Sequence, residues 1–243
     1  MVASVYDPLG LLTPLILRAK KILQEISRRG FSWDDPLPED VQIRWERWKL
    51  DLMHLKELQI PRCFEPKTIS QKKSYDLHNF ADASSSGYGQ SSYLRVKDED
   101  GNVNVSLVMG KSCVAPLKIT TIPRLELTAA VVSAKVGVML QELNYTNRKQ
   151  FFWTDSKVVL GYINNDAERF HTFVANKVQI IRSNTDTKKW RHIDTKNNPA
   201  DHASRGLSAE ELMRSNWFSR PAFLWGKEIP NSKEEIPNIR IGD

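Results

Sequence analysis

Apolar residues recur near helical spacing from Leu11 to Arg28, and Pro36-Leu37-Pro38 then breaks the pattern. Val41, Trp45, Trp48, Leu52 and Leu55 step by four and three, which predicts a second amphipathic helix. Pro61, Pro66 and the polar run Thr68 to Lys73 read as a linker, with a boundary near residue 70. Strand patterning follows. Tyr75 to Ala81 is one strand, Tyr88 to Val96 resumes after the turn Ser84-Ser85-Ser86-Gly87, and Val103, Val105, Leu107 and Met109 alternate with polar residues beyond the hairpin loop Asp98 to Asn102. Three strands joined by short turns predict an antiparallel meander. After Pro116 the period changes. Thr121-Ile122-Pro123 starts a long apolar helix running to Leu143, and Gln150 to Thr154 reads as a strand buried on both faces. Two helices come next, the second with Phe170, Phe173, Val174, Val178 and Ile181 on one face. Lys188 to Ile193 is a short strand, and Asn197 to Arg205 turns into a last helix. The order βββαβα(α)βα describes an α/β domain with a mixed sheet behind a mainly helical front segment.

This divides the chain into a helical segment 1–70, an α/β domain 71–206 and an extension 207–243. In the extension, Trp217, Phe218, Phe223, Leu224 and Trp225 suit docking, with a looser end expected. Composition is that of a globular protein. Cys63 and Cys113 form no C-x-x-C pair, so neither a disulfide framework nor a thiolate zinc site is indicated, and reduced thiols in an intracellular, cytoplasmic setting are expected, nuclear residence remaining open. The apolar opening from Val2 to Leu17 is broken by Asp7, Pro8, Gly10 and Pro14 and has no basic leader, which argues against a signal peptide or membrane span. The sequon at Asn144 is then a chance match. A formal charge of +6 and a pI near 9.2 leave room for an anionic partner such as a nucleic-acid backbone, although a solvated surface has the same charge.

Asp82, Glu126, Asp155 and Asp201 change that picture, because each sits where an element begins or ends. If the strands ending at Asp82 and Asp155 are parallel neighbours, both carboxylates face one crevice. Like charges that close require a cation or a raised pKa. Oxygen donors without a His or Cys cluster favour Mg²⁺ or Mn²⁺ over zinc, and two such ions about 3.5–4 Å apart suit an in-line phosphodiester displacement. Taken singly, each acid also reads as a cap or surface charge: Asp155 can N-cap the helix after Ser156-Lys157, and Asp201 can end a turn.

The signatures Phe-Ala-Asp82-Ala-Ser, Ile-Pro-Arg-Leu-Glu126-Leu, Trp-Thr-Asp155-Ser-Lys and Asn-Asn-Pro-Ala-Asp201-His-Ala-Ser-Arg-Gly resemble the ribonuclease H domain in the Pol polyprotein of BEL/Pao retrotransposons. The opening Ala3-Ser-Val-Tyr-Asp-Pro-Leu-Gly-Leu-Leu-Thr-Pro14, with Trp33-Asp-Asp-Pro-Leu-Pro, resembles the segment that joins reverse transcriptase to that domain. The resemblance runs from residue 2 to about residue 225. It implies a ribonuclease H-like mixed five-stranded sheet with flanking helices, and hydrolysis of the RNA strand of an RNA·DNA hybrid with two Mg²⁺ or Mn²⁺ ions. By position it makes Asp82 the shared ligand, puts Glu126 and Asp155 on the leaving-group ion, and puts Asp201 on the ion that activates water. Asn197 or Asn198, with Ser84, Ser156 and Lys157, become candidate substrate contacts, and Lys111, Lys188, Lys189 and Arg191 candidate backbone contacts. Recognition would be by shape, phosphates and 2′-hydroxyls. The remaining partners implied are the rest of reverse transcriptase and Pol, in a virus-like particle of an intact element.

One departure stands out. Many ribonucleases H carry a His in a loop before the last acid, whereas Asp194-Thr-Lys-Asn-Asn-Pro199 holds none; His192 lies upstream and His202 follows Asp201. Either is a candidate for product release, with a structural or exposed role as the alternative, and slower or more metal-dependent turnover is expected. No Tyr-x-Asp-Asp polymerase motif occurs, and the lack of Asp-Ser-Gly and Asp-Thr-Gly disfavours an aspartic peptidase. A chain opening in mid-Pol and stopping before an integrase core is expected to be a fragment or remnant. Two readings stay open: an active hybrid nuclease, or a catalytically silent remnant that binds nucleic acid or only folds. The missing loop histidine predicts that His192→Ala and His202→Ala each change the cleavage rate by less than about tenfold; larger losses for both would give these residues the role assigned to the absent one.

Overall fold

The alternating apolar positions of the first three strands produce the expected meander. Lys73–Ala83 (β1) pairs antiparallel with Gly87–Asp98 (β2), which pairs antiparallel with Val103–Val114 (β3) across an irregularity at Ser92 and Tyr93. The hairpin between β2 and β3 turns at Gly101, whose φ of 84° suits glycine, while Asp98 Oδ1 accepts from Asn102 N at 2.8 Å. The computed structural model describes residues 5–32, 34–61, 63–65, 73–142, 148–165, 170–219 and 221–229. Trp33, most of the proposed linker, the sequon at Asn144 and the end of the tail lie outside them.

After β3 the chain forms the helix Ile122–Gln141 (α3), with Pro123 in its first turn. Arg148–Thr154 (β4) then runs parallel to β1, and Trp190–His192 (β5) runs parallel to β4. Between them lie Lys157–Asn164 (α4) and Thr172–Asn184 (α5). The sheet order is β3-β2-β1-β4-β5, a mixed five-stranded sheet with flanking helices. The last strand is shorter than the pattern predicts, because Asp186 Oδ1 accepts from Lys188 N at 3.0 Å and winds Thr187–Lys189 into a 3₁₀ turn. Phe173 also departs from its expected place. It is exposed at the surface, where Arg124 and Lys177 lie 5.4 and 5.0 Å from its ring, while Val174, Val178 and Ile181 pack inward.

Two cores flank the sheet. On one face, Leu77, Leu94, Val96 and Val108 pack with Val136 and Leu140 of α3, and Phe152 and Trp190 stack among residues of α3, α4 and α5. On the other, Phe80, Tyr93, Leu107 and Trp153 pack against the front helices Thr13–Arg28 (α1) and Glu39–His54 (α2). Ala200–Arg205 (α6), Ala209–Arg214 (α7) and Asn216–Ser219 (α8) complete that layer; the last two follow what the sequence pattern reads as the final helix.

Several polar tips inside the second core are matched. Trp48 Nε1 donates to Leu15 O at 3.0 Å, Trp217 Nε1 to Leu11 O at 2.8 Å, and Tyr93 Oη to Trp217 O at 2.8 Å. Arg95 is engaged with Asp76 and with the carbonyls of Leu224 and Gly226, which fastens the extension to β2. Among the described residues no helix is long and apolar enough to cross a membrane.

Leu15 is fully buried beneath this layer, so Leu15→Ala should lower the unfolding free energy by about 2–5 kcal/mol. Urea unfolding measures it; a loss well under 1 kcal/mol would place α1 outside the cooperative core.

Candidate active site

The parallel pairing of β1 and β4 sets the site. Ala81 is in register with Thr154, so Asp82 and Asp155 fall at the same end of adjacent strands. Phe80 and Trp153 stack at 6.1 Å on the face that carries α6, and two residues further along each strand the period of two returns the side chain to that face. Asp82 is 5% exposed. Burial, opposed by a hydrogen bond from Ser204 and reinforced by the charges of Asp155 and Asp201, pushes its carboxyl up to about 7. Asp155 Oδ1 is buried and finds no hydrogen-bond partner among the described residues. Its backbone carbonyl lies 3.2 Å from His192 Nε2.

Glu126 reaches the cluster from the second turn of α3, between the buried Leu125 and Leu127. Ser156 Oγ donates to Glu126 Oε2 at 2.7 Å and accepts from Val159 N at 3.2 Å, so the N-cap of α4 also orients Glu126. Burial raises the pKa of Glu126, the Ser156 bond opposes the rise, and Asp155 adds to it. The cap of α4 is thus Ser156 and not Asp155.

Asp201 is the second residue of α6, and α6 lies unusually close to β2. A Cβ on Gly89 would lie 2.8 Å from Ala203 Cβ, and one on Gly87 would lie 2.9 Å from Ser204 O, so only glycine admits the helix there. Three donors, from the turn after β1, from β3 and from α1, take its last carbonyls. Ser112 Oγ of β3 bonds Ala203 O, Ser84 Oγ bonds Ser204 O at 2.8 Å, and Lys21 Nζ of α1 bonds Arg205 O. At the front of α6, Asn198 Nδ2 donates to Ala81 O at 3.1 Å, and Asn198 Oδ1 accepts from Ala200 N at 3.2 Å. Arg205 Nε donates to Asp201 Oδ1 at 2.5 Å; that bond, then the neighbouring Asp82 and Asp155 charges, favour the guanidinium form.

The four acids therefore meet at one end of the sheet, but three of them hold protein donors: Ser204 on Asp82, Ser156 on Glu126 and Arg205 on Asp201. Among the described residues, no three His, Cys, Asp or Glu side chains close into a metal cage. The other sequence candidates divide. Ser84 and Asn198 are buried and tied into α6, whereas Lys157 and Asn197 are exposed. Lys188 and Lys189 precede β5, whose first residue, Trp190, pairs with Phe152, and Lys111 is exposed on β3. Arg191 lies over Phe151 at 4.4 Å and lines a separate cleft of about 510 Å³ with Asp76, Arg95 and Lys149. His202 lies 2.6 Å from Asn216 Oδ1, in a cleft of about 460 Å³ that also holds Asp201 and Arg205. Ser204, Arg205 and the glycine bed receive no role of their own from the sequence. Ser204 and Arg205 follow Asp201 by three and four positions on a helix, a spacing that brings side chains together and was the available signal. Nothing local marks Lys21.

An open α/β sheet of this order, with carboxylates converging at the ends of two central strands, is the ribonuclease H-like class of fold. Residues 1–156 match the family described as Pao retrotransposon-like RNaseH-like domain, and the chain belongs to that family. No curated protein matches it in sequence. Among solved structures, the N-terminal RNase H domain of Rv2228c from Mycobacterium tuberculosis is similar at 12% identity, over 58% of this chain and 96% of that one, with a TM-score of 0.37. RNase H1 from the archaeon Halobacterium salinarum NRC-1 is similar at 11% identity, over 58% and 99%, with a TM-score of 0.34. LC11-RNase H1 in complex with an RNA/DNA hybrid is similar at 13% identity, over 54% and 93%, with a TM-score of 0.35.

The raised pKa of Asp82 gives a stability signature. A carboxyl whose pKa rises from 3.8 unfolded to about 7 folded binds more protons in the native state between those values, so stability falls as pH rises through that window. With chelator present, the unfolding free energy should decline from pH 4 to pH 7, and Asp82→Asn should flatten the decline. An unchanged slope in the variant would remove Asp82 as its source.

Proposed function

We propose that this chain is a divalent-metal-dependent endoribonuclease that cuts the RNA strand of an RNA·DNA hybrid. The observation that carries the reading is the pairing of Asp82, its carboxyl pushed up to about 7, with Asp155, whose Oδ1 is buried and has no hydrogen-bond partner among the described residues. Two carboxylates at the same end of adjacent strands, backed by Glu126 and Asp201, are relieved by a hard cation, and an all-oxygen donor set fits Mg²⁺ or Mn²⁺. Asp82, Glu126, Asp155 and Asp201 are the residues that would hold the ions. Bound there, such ions supply positive charge to the phosphodiester and a more acidic water.

The protein's own groups do the rest. Ser156 orients Glu126, and Asn198 ties the end of β1 to the start of α6, so the Asp82 and Asp201 backbones keep their spacing. Asp201 lies beside the cleft that holds His202 and Arg205, the side from which water would approach. Lys157, at the start of α4, and Asn197 are exposed next to the acids and suit phosphate and sugar contacts. Such contacts read the shape of the hybrid rather than its bases. In an intact element the remaining partner is the reverse transcriptase and the rest of Pol.

One observation favours the second reading, a silent nucleic-acid-binding fold: the carboxylates of Asp82, Glu126 and Asp201 each already hold a protein donor. Purified protein incubated with a labelled RNA·DNA hybrid and Mg²⁺ or Mn²⁺ separates the two. Cleavage confined to the RNA strand, reduced more than about 100-fold by Asp155→Asn, is expected. No cleavage by the wild type, or equal cleavage by the variant, would leave the silent fold.

A further inference from the structure

Ser204 lies at the junction of the two halves of the acid cluster. It is fully buried, on the same short helix as Asp201, and its hydroxyl is hydrogen-bonded to Asp82 Oδ2. A second acceptor, Asp201 O, is 3.0 Å away. A hydroxyl has one proton, and a carboxylate oxygen is a stronger acceptor than a backbone carbonyl, so the ionised Asp82 takes it. The bond exists only because α6 presses onto β2. The Gly87 and Gly89 positions leave no room for a Cβ beneath Ser204 and Ala203, and Ser84, Ser112 and Lys21 hold the end of the helix in place.

We infer that Ser204 is a positioning residue for Asp82: by fixing Oδ2 it sets the rotation of the carboxylate and turns Oδ1 toward Asp155. The inference rests on the metal-dependent reading of the site. Ser204 touches neither substrate nor ion in this account; it acts through Asp82, as hydrogen-bond partners behind metal ligands do. It also explains why one helix carries both groups. Any shift of α6 moves Asp201 and the brace on Asp82 together, so the two acids keep their relation.

The test is calorimetric titration of Mn²⁺ into the full chain, with melting temperature recorded for each variant. Wild type should bind Mn²⁺, Ser204→Ala should bind about tenfold more weakly, and Ser204→Thr, which keeps the hydroxyl, should recover to within about threefold. Ser204→Cys keeps the volume but offers only a weak donor, so it should weaken binding as well; it stands in if the alanine variant does not fold. Tyr93→Phe is the control, because it removes a buried bond, to Trp217 O, without touching Asp82 or α6. It should lower the melting temperature and leave Mn²⁺ affinity within about twofold, as expected for a bond outside the ligand set. Equal affinities for wild type, Ser204→Ala and Ser204→Cys would overturn the role of Ser204 alone. Equal losses in Tyr93→Phe and Ser204→Ala would overturn it too, by showing that any lost buried bond weakens the site. Absence of Mn²⁺ binding in the wild type would overturn the metal reading and this inference together.

Discussion

Everything at the candidate site depends on the parallel register of β1 and β4. That pairing brings two carboxylates to the same end of adjacent strands and sets them on one face, where burial and the neighbouring charge oppose ionisation of Asp82. A protein built for stability alone would separate them or replace one. Here Asp82 and Asp155 instead follow the stacked pair Phe80 and Trp153, whose packing fixes the two strand ends. The apolar core thus supplies the rigidity that holds an unfavourable electrostatic arrangement in place, as functional sites commonly require.

The second constraint is the close approach of α6. A helix of six residues has little intrinsic stability, so its position comes from what surrounds it. Glycines on β2 let it in, and hydroxyl and ammonium donors from β1's turn, β3 and α1 close its end. Through Lys21, and through Leu207 N bonded to Pro14 O at 3.2 Å, the front helix is part of the support of Asp201. The extension contributes from the other side, with Trp217 and Leu224 fully buried under the sheet and Arg95 holding its carbonyls. Front helices, sheet and extension share one hydrophobic core, and the match to the Pao family likewise begins at residue 1 and crosses the front segment.

The order of strands and of the helices up to α6 along the chain was legible because apolar periodicity is a local signal that tertiary packing here reinforces, whereas the parallel pairing of β1 with β4 entered only as a condition. Asp82 and Asp155 were legible for the same reason, since strand ends can be read from where alternation stops. What escaped was set by contacts distant along the chain. The start of β5 lost two residues to a turn capped by Asp186, Phe173 turned outward toward cations, and Ser204 became a brace only because β2 carries glycine opposite it. Asn198 shows the limit from the other direction. Its motif suggested a substrate contact, and the fold engages both ends of its amide in joining β1 to α6.

The central claim is that the end of the β1–β4 pair is a divalent-cation site. A crystal of the full chain soaked in Mn²⁺, with data collected for anomalous scattering from manganese, addresses it without relying on catalysis. The account predicts anomalous density within coordination distance of the carboxylates of Asp82 and Asp155, about 2.0–2.2 Å from oxygen. Well-ordered Asp82 and Asp155 side chains with no anomalous density between them, at Mn²⁺ concentrations that label other sites in the same crystal, would contradict it.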